Sequence, residues 1–332
     1  MTDETPTAVQ YGIGPIGSRI ASAAHRTGFE FVGAVDIDPE KIGADLGDIA
    51  GFDEQVGVEV TDDVEAALAT NPDVVFHSTV SDVEAALPQL AEIADSGANI
   101  VSTTEELAYP EWAAPEAAAE LDDVATEHGV TILGTGINPG FVMDAMPAYL
   151  STPMERVDQV TVKRVQDAAT RREPLQRKVG AGVSVDTFEA EIATEAGHVG
   201  STESVAMLGD ALGLGIEEIE ETIEPVIADE RVETEYLTVD ADDVAGIRQV
   251  ARGRVDGEAR ILLELHMYVG ADDPRDEVHF DSDPPVSVTV DGGYHGDVST
   301  AAVVANVAPT VIDADPGRRS MTDLIPTFTR EA

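Results

Sequence analysis

Through the first half of the chain, short apolar runs alternate with longer stretches whose apolar positions recur at helical spacing. Ala8-Val9-Gln10-Tyr11 reads as a strand that runs into a glycine loop, and the next segment sets Ile16, Ile20 and Ala24 on one helical face. Phe29 to Val35 predicts an apolar strand ending at Asp36. Asp38-Pro39 then supplies an N-cap and first-turn proline for a further helix. Asp73 to Ser78 reads as a buried strand, Val83 to Ala94 as a helix closed by Gly97, and Asn99 to Ser102 as another strand. Pro115 to His128 is helical up to Gly129, and Val130 to Leu133 is again a strand. Repeated βα units predict a parallel, doubly wound sheet, because each parallel strand is reached through a helical crossover.

Beyond about Asp144 the texture changes. Val157 to Val165 reads as a strand, and Asp186 to Glu195 and Thr202 to Leu212 carry helical patterns. Two alternating runs, Gln249 to Val255 and Ala259 to Val269, flank Asp256-Gly257, which is a strong hairpin signal. Val286 to Val290 adds a strand, and an apolar helix from Val298 to Ile312 returns toward the first domain. At 332 residues two domains are expected. The fold class is therefore α/β: a dinucleotide-type domain at 1–144, rejoined by a C-terminal helix at 297–332, and a substrate and oligomerisation domain at 145–296. The second is α+β with mainly antiparallel sheet.

Composition excludes several classes. With no cysteine there is no disulfide framework, thiolate nucleophile or Cys-ligated zinc, and no His/Asp/Glu spacing suggests a metal. No run is apolar enough to span a bilayer, and the acidic N-terminus lacks a signal-peptide pattern, so a cytoplasmic location is expected. The charge is unusual: 65 acidic against 19 basic residues, net −46. Such self-repulsion strains a compact fold in dilute buffer, whereas molar salt shrinks the screening length to about 3 Å. We read it as adaptation to a high-salt cytoplasm of the kind found in halophilic archaea, with the acids of Glu217-Glu218 and Glu220-Glu221 on helix faces. It also argues against a nucleic-acid partner.

Gly12-Ile13-Gly14-Pro15-Ile16-Gly17 follows a strand, opens a helix and precedes an acid, Asp36, by about 20 residues. In that context it is the Rossmann fingerprint of dinucleotide binding. Gly12 permits the tight turn, Gly14 lets backbone approach the pyrophosphate, and Gly17 lets the helix lie close to the strand, with Pro15 and Ile16 opening it. Asp36 would accept from the adenosine ribose hydroxyls and repel a 2′-phosphate. NAD is thus favoured, with NADP admissible through Arg19 or a loop. Ser78, Thr79 and Thr103 stand at strand ends on the edge that lines the nicotinamide. The glycines of Gly134-Thr135-Gly136-Ile137-Asn138-Pro139-Gly140-Phe141 suggest backbone approaching something closely.

Four blocks carry a family resemblance: Gly134 to Asp144, Arg171 to Gly182 (Arg-Arg-Glu-Pro-Leu-Gln-Arg-Lys-Val-Gly-Ala-Gly), Gly197 to Ser204, and Gly292 to Ala301. In these the chain resembles the 2,4-diaminopentanoate dehydrogenases and their amine dehydrogenase relatives, whose N-terminal half is similar to dihydrodipicolinate reductase. The paired histidines and lysine of those reductases have no counterpart here. The resemblance implies oxidative deamination of an amine or diamino acid to ketone and ammonia, or the reverse, by a homodimer. It places the catalytic acid after the fifth strand at Glu105, with Glu106 as the fallback; the bland alternative is that both merely cap a helix entry. On the substrate side the candidates are Asn138, Arg171, His198 and His295. Lys163, Arg164, Arg171, Arg172, Arg177 and Lys178 put six cations into one stretch of an acidic chain, either to hold a substrate carboxylate or to pair with surface or subunit acids. The other two readings are a reductase acting on a cyclic C=N bond and a non-catalytic NAD-binding redox sensor.

If the acid excess is a salt adaptation, the melting temperature rises steeply between dilute buffer and about 1 M KCl. Equal melting temperatures at both ends of that series would refute it.

Overall fold

The structure, a computed structural model, describes residues 5–193 and 197–324. In chain order the elements begin with β1 (Thr7–Tyr11), α1 (Pro15–Arg26), β2 (Glu30–Val35), α2 (Leu46–Ala50), β3 (Val60–Thr61) and α3 (Val64–Leu68). They continue with β4 (Val74–His77), α4 (Val83–Asp95), β5 (Asn99–Ser102), α5 (Pro115–His128) and β6 (Thr131–Gly134). The middle of the chain forms α6 (Ala145–Leu150), β7 (Arg156–Asp167), α7 (Glu173–Lys178), α8 (Val185–Thr187), α9 (Ser201–Ala211) and β8 (Glu218–Ile227). A small pair, β9 (Val232–Glu233) and β10 (Thr238–Val239), precedes β11 (Val244–Val255), β12 (Glu258–Tyr268), β13 (Arg275–Asp283) and β14 (Val286–Asp291). The chain ends its described course with α10 (Gly296–Ile312) and β15 (Gly317–Arg319). It divides into two compact units, residues 1–141 with 295–332, and residues 142–294.

The first unit is a seven-stranded parallel sheet in the order β15-β6-β5-β4-β1-β2-β3. The order reverses between β1 and β4, which is where a doubly wound sheet opens its ligand crevice. All four residues of β4 are buried, as a strand covered on both faces requires. Helix α4 buries Val83, Ala86, Leu90, Ile93 and Ala94, the three-and-four spacing of one face, and Asp82 caps it by accepting from Ala85 N at 2.7 Å. Gly129, at φ +70°, closes α5. Helix α10 packs on α1 and lies against β4, β5 and β6.

Two local expectations fail here for identifiable reasons. Asp38-Pro39 opens a hydrogen-bonded turn, with Lys41 N donating to Asp38 O and Glu40 N to Asp38 Oδ1 at 3.0 Å. It cannot grow into a helix because Gly43 N and Ala44 O are committed to Val60 of β3. The helix starts at Leu46 instead, capped by Asp45. Beyond Ile312 the segment is also not helical: it turns and adds β15 to the sheet edge beside β6. Residues 325–332 of the expected 297–332 helix lie outside the described residues.

The second unit is a six-stranded sheet, β14-β13-β7-β12-β11-β8, in which β7 and β12 run parallel and the other neighbours antiparallel. Asp256 (φ 52°) and Gly257 (φ 78°) make the β11–β12 hairpin turn. The acids Glu218, Glu220 and Glu221 stand on an edge strand, β8, not on a helix face. Glu220 and Glu224 meet Arg254 and Arg248 of β11 at 2.8 and 3.1 Å. An edge position also tolerates Pro225. The helical pattern from Asp186 resolves into α8 followed by a π-helical turn at Phe188–Ile192, with Phe188 in the core of this unit; Glu195 lies outside the described residues.

Strand β13 escaped the sequence pattern because a charged residue occupies its buried face. Asp276, 1% exposed, alternates with Val278 and Phe280, and receives Arg164 of β7 on both oxygens at 3.0 Å. The same guanidinium donates to Tyr294 O, and Tyr294 N donates to Asp276 Oδ2 at 2.8 Å, so the pair ties down the segment that leaves this unit. Replacing Arg164 by Leu strands the Asp276 carboxylate and should cost about 3–5 kcal/mol in chemical denaturation, with most of it recovered in the Arg164→Leu/Asp276→Leu double variant. A single-variant cost below about 1 kcal/mol would contradict this.

Candidate cofactor and active site

Between β1 and α1 the chain turns through Gly12 at φ +85°, where a Cβ would stand 2.3 Å from Ser78 O. At Gly17 a Cβ would fall 2.0 Å from Gly12 O, so only glycine lets the helix start lie on the loop. Gly14, the N-cap of α1, faces open space, and that helix end has Pro15 in its first turn, no side-chain cap and no first-turn acid. The N–H groups at Ile16 and Gly17, with the positive end of the helix dipole, are therefore available to an anion, and the donor set fits a dinucleotide pyrophosphate. Gln10, fully buried, supports the loop from below: its Nε2 donates to Gly12 O (2.9 Å), Ser78 Oγ (3.1 Å) and Phe76 O (3.2 Å). Ser78 Oγ also donates to Gly12 O at 2.8 Å, so its hydroxyl holds the loop.

At the end of β2, Asp36 Oδ2 accepts from Ile13 N of the glycine loop at 2.7 Å and from Lys41 Nζ at 3.1 Å, while Oδ1 accepts from Asp38 N at 2.9 Å. Burial alone would raise its pKa, but these donors outweigh burial and hold the carboxyl below its ordinary value. Next to it Ile37 is 89% exposed, and Val80, after β4, is also exposed. Sequence reading passed over Gln10, Ile37 and Lys41. An apolar residue directly after the β2 acid was the available signal for Ile37, and the scarcity of lysine was the signal for Lys41.

Along the carboxyl edge a buried network joins β4 to β5. His77 Nδ1 lies 2.8 Å from Ser102 Oγ, and Nε2 lies 2.8 Å from Gln89 Oε1 and 2.9 Å from Thr79 Oγ1. Burial pushes the imidazole pKa down to about 4, so the ring is neutral. Thr79 is thus tied into this network, and Thr103 N donates to His77 O at 3.0 Å. Glu105 and Glu106 open a 3-10 turn, Glu105–Ala108, and their carboxylates differ. Glu106 Oε2 accepts from Val83 N at 2.9 Å and so caps α4. Glu105 is half-buried, and no partner for its carboxylate is found among the described residues.

In the loop after β6, the glycines pack against the protein's own backbone. A Cβ on Gly134 would stand 2.4 Å from Leu107 C, and one on Gly140 would stand 2.5 Å from Gly136 N. Asn138 is half-exposed within that loop, and Ile137 N donates to Thr300 Oγ1 of α10 at 3.2 Å. His295 is the N-cap of α10.

In the second unit the basic stretch is dispersed. Arg164 is in the buried pair, Arg177 meets Glu173 at 2.7 Å within α7, and Arg171 stands half-exposed before that helix. The main chain of His198 is gripped by the buried Gln249 amide, with N donating to Oε1 at 2.7 Å and O accepting from Nε2 at 2.9 Å. His198 and Lys178 border a shallow apolar recess lined by Ile247, Leu265 and Met267. No group of His, Asp and Glu among the described residues could hold a metal.

The family model for the 2,4-diaminopentanoate dehydrogenase C-terminal domain matches residues 141–330, and that for the dihydrodipicolinate reductase N-terminus matches residues 9–135. The 2,4-diaminopentanoate dehydrogenase of Acetoanaerobium sticklandii is 31% identical over 94% of this chain and 91% of its own length. The amine dehydrogenase of Streptomyces virginiae is 26% identical, covering 96% of each chain. The structure of the amine dehydrogenase from Mycobacterium smegmatis superposes with a TM-score of 0.85 at 27% identity, covering 99% of this chain and 98% of that one. With one family model over more than half of its length, and a curated relative aligned along nearly all of it, the chain belongs to the 2,4-diaminopentanoate dehydrogenase family of NAD(P)-dependent dehydrogenases.

Proposed function

We propose that this chain is an NAD(P)-dependent amine dehydrogenase that converts an amine or diamino acid, such as 2,4-diaminopentanoate, to the ketone and ammonia, or runs the reverse reductive amination. The observation that carries the reading is the pair of neighbouring acids at the end of β5. Glu106 is spent on capping α4, whereas the Glu105 carboxylate stays unengaged at the carboxyl edge of a sheet whose glycine loop fits a dinucleotide. The bound nicotinamide supplies the hydride acceptor. Glu105 attracts the substrate ammonium and takes its proton, so that the nitrogen lone pair can drive hydride loss from the adjacent carbon. After releasing that proton to solvent, it takes one from the water that adds to the resulting iminium carbon and returns it to the nitrogen. The nitrogen leaves as ammonia while the hydroxyl loses its proton to give the ketone. Overall, substrate ammonium, oxidised cofactor and water give ketone, ammonium, reduced cofactor and a proton.

Asp36 supports a preference for NAD through the ribose hydroxyls. Asn138, Arg171, His198 and His295 are the residues we assign to the substrate side, and Ser78, Thr79 and Thr103 shape the nicotinamide edge. We further propose a homodimer, on the resemblance alone, and work in a high-salt cytoplasm, which the acid excess supports.

Reduction of NAD and NADP followed against a panel of diamino acids and simple amines tests the activity. Glu105→Gln keeps the shape and removes the base, so kcat should fall by about 100-fold or more while NADH still binds. Unchanged turnover would remove Glu105 from the mechanism, and NADH binding without turnover of any amine would favour a redox sensor. The network behind this edge has its own pH signature. The fold holds His77 neutral, so the unfolded chain binds a proton more readily. The stabilisation is complete above about pH 6.5 and declines toward pH 4. Relative to His77→Asn, the wild type should lose on the order of 3 kcal/mol across that window. A constant difference between the two proteins would contradict the buried neutral ring.

A further inference from the structure

The ribose corner holds a second acid and a lysine that the acid at the end of β2 does not by itself account for. Lys41 is one of few lysines in a chain with 65 acidic residues, and its Nζ stands 3.1 Å from Asp36 Oδ2 and 3.3 Å from Asp38 Oδ2. The turn at Asp38-Pro39 delivers it there: Lys41 N donates to Asp38 O at 2.9 Å, and the continuing helix that would have carried the side chain away does not form. Asp36 is 9% exposed and anchored by two backbone N–H groups, so it is fixed. Lys41 and Asp38, at 25% and 40%, are free to rearrange.

The two cofactors put different demands on this corner. Asp36 Oδ1 accepts only from Asp38 N and keeps a lone pair for a ribose hydroxyl, so NAD needs nothing else to move. A 2′-phosphate brings about two negative charges toward two carboxylates, and Lys41 supplies the cation nearest to both. Its ammonium has three N–H donors, two of them directed at Asp36 and Asp38, and a flexible stem that can turn a point charge toward a phosphate.

We propose that Lys41 is the specificity-determining residue that admits a 2′-phosphorylated dinucleotide, and that Asp38 limits this by competing with the phosphate for the same ammonium. With NAD, Lys41 bridges the two acids; with NADP it leaves Asp38 for the 2′-phosphate and still neutralises Asp36. The chain therefore binds both cofactors, with NAD ahead by a margin that Asp38 sets through its hold on the Lys41 ammonium. This rests on the dinucleotide reading of the glycine loop and is independent of the amine chemistry.

The test is binding, not turnover: Kd values for NADH and NADPH by fluorescence titration, with 2′,5′-ADP displacement as a probe of the phosphate alone. Lys41→Met should raise the NADPH-to-NADH Kd ratio by about tenfold, and Asp38→Asn should lower it by a similar factor, as expected for one charge-assisted contact. In Asp38→Asn/Lys41→Met the gain from Asp38→Asn should vanish. Lys41→Met weakening both dinucleotides by the same factor, or a gain that survives in the double variant, would overturn the proposal, and the latter would move the phosphate contact to Arg19. If Lys41→Met does not fold, Asp38→Asn alone decides: an unchanged ratio overturns the proposal. A protein that shows these shifts but turns over no amine refutes the amine reading alone.

Discussion

Everything in the first unit depends on how closely β1 and β4 approach at Gly12. The backbone there is so near Ser78 O that a Cβ would overlap it, and the Gln10 amide bridges both strand ends from beneath. This contact sits where the strand order reverses, so it sets the crevice and the start of α1 together. Because the N-cap is Gly14, which has no side chain, the helix begins without a side-chain cap and its first N–H groups open onto the crevice. Water can complete such a helix end, and the dipole makes an anion a favourable replacement for it.

The same unit shows buried polarity used for placement. His77 reaches Ser102 on one side and Gln89 with Thr79 on the other, so the loops after β4 and β5 cannot shift separately. Glu106 closes that arrangement by capping α4, which leaves Glu105 as the acid of the pair whose carboxylate has no partner among the described residues. In the second unit, Arg164 with Asp276 and Gln249 with His198 do comparable work. Each is a buried polar group whose hydrogen bonds are local and directional, and each holds an irregular segment that apolar packing would leave loose.

Much of this architecture was legible. The strands around Asn99 to Ser102, the helix from Pro115 to His128 and the Asp256-Gly257 hairpin each combine a clean period with a terminal residue whose backbone preference is strong. Strand β13 was hidden because Asp276 on its inner face breaks the apolar alternation, and only its partner 112 residues away explains it. The acids of β8 looked helical because an edge strand exposes both faces of its charged residues to water. Asp38-Pro39 carried a sound helix-start signal, but backbone pairing with Val60 of β3 overrode it.

The sequence by itself determined the parallel first sheet, the anion-receptive glycine loop and the acid at the end of β2. These follow from local periods and from backbone freedom that only glycine has. Tertiary structure decided which of two adjacent glutamates is free, which of the clustered cations is buried, and where Lys41 points. Those outcomes depend on partners far along the chain, on Val83, Asp276 and Val60, and no local pattern encodes a distance.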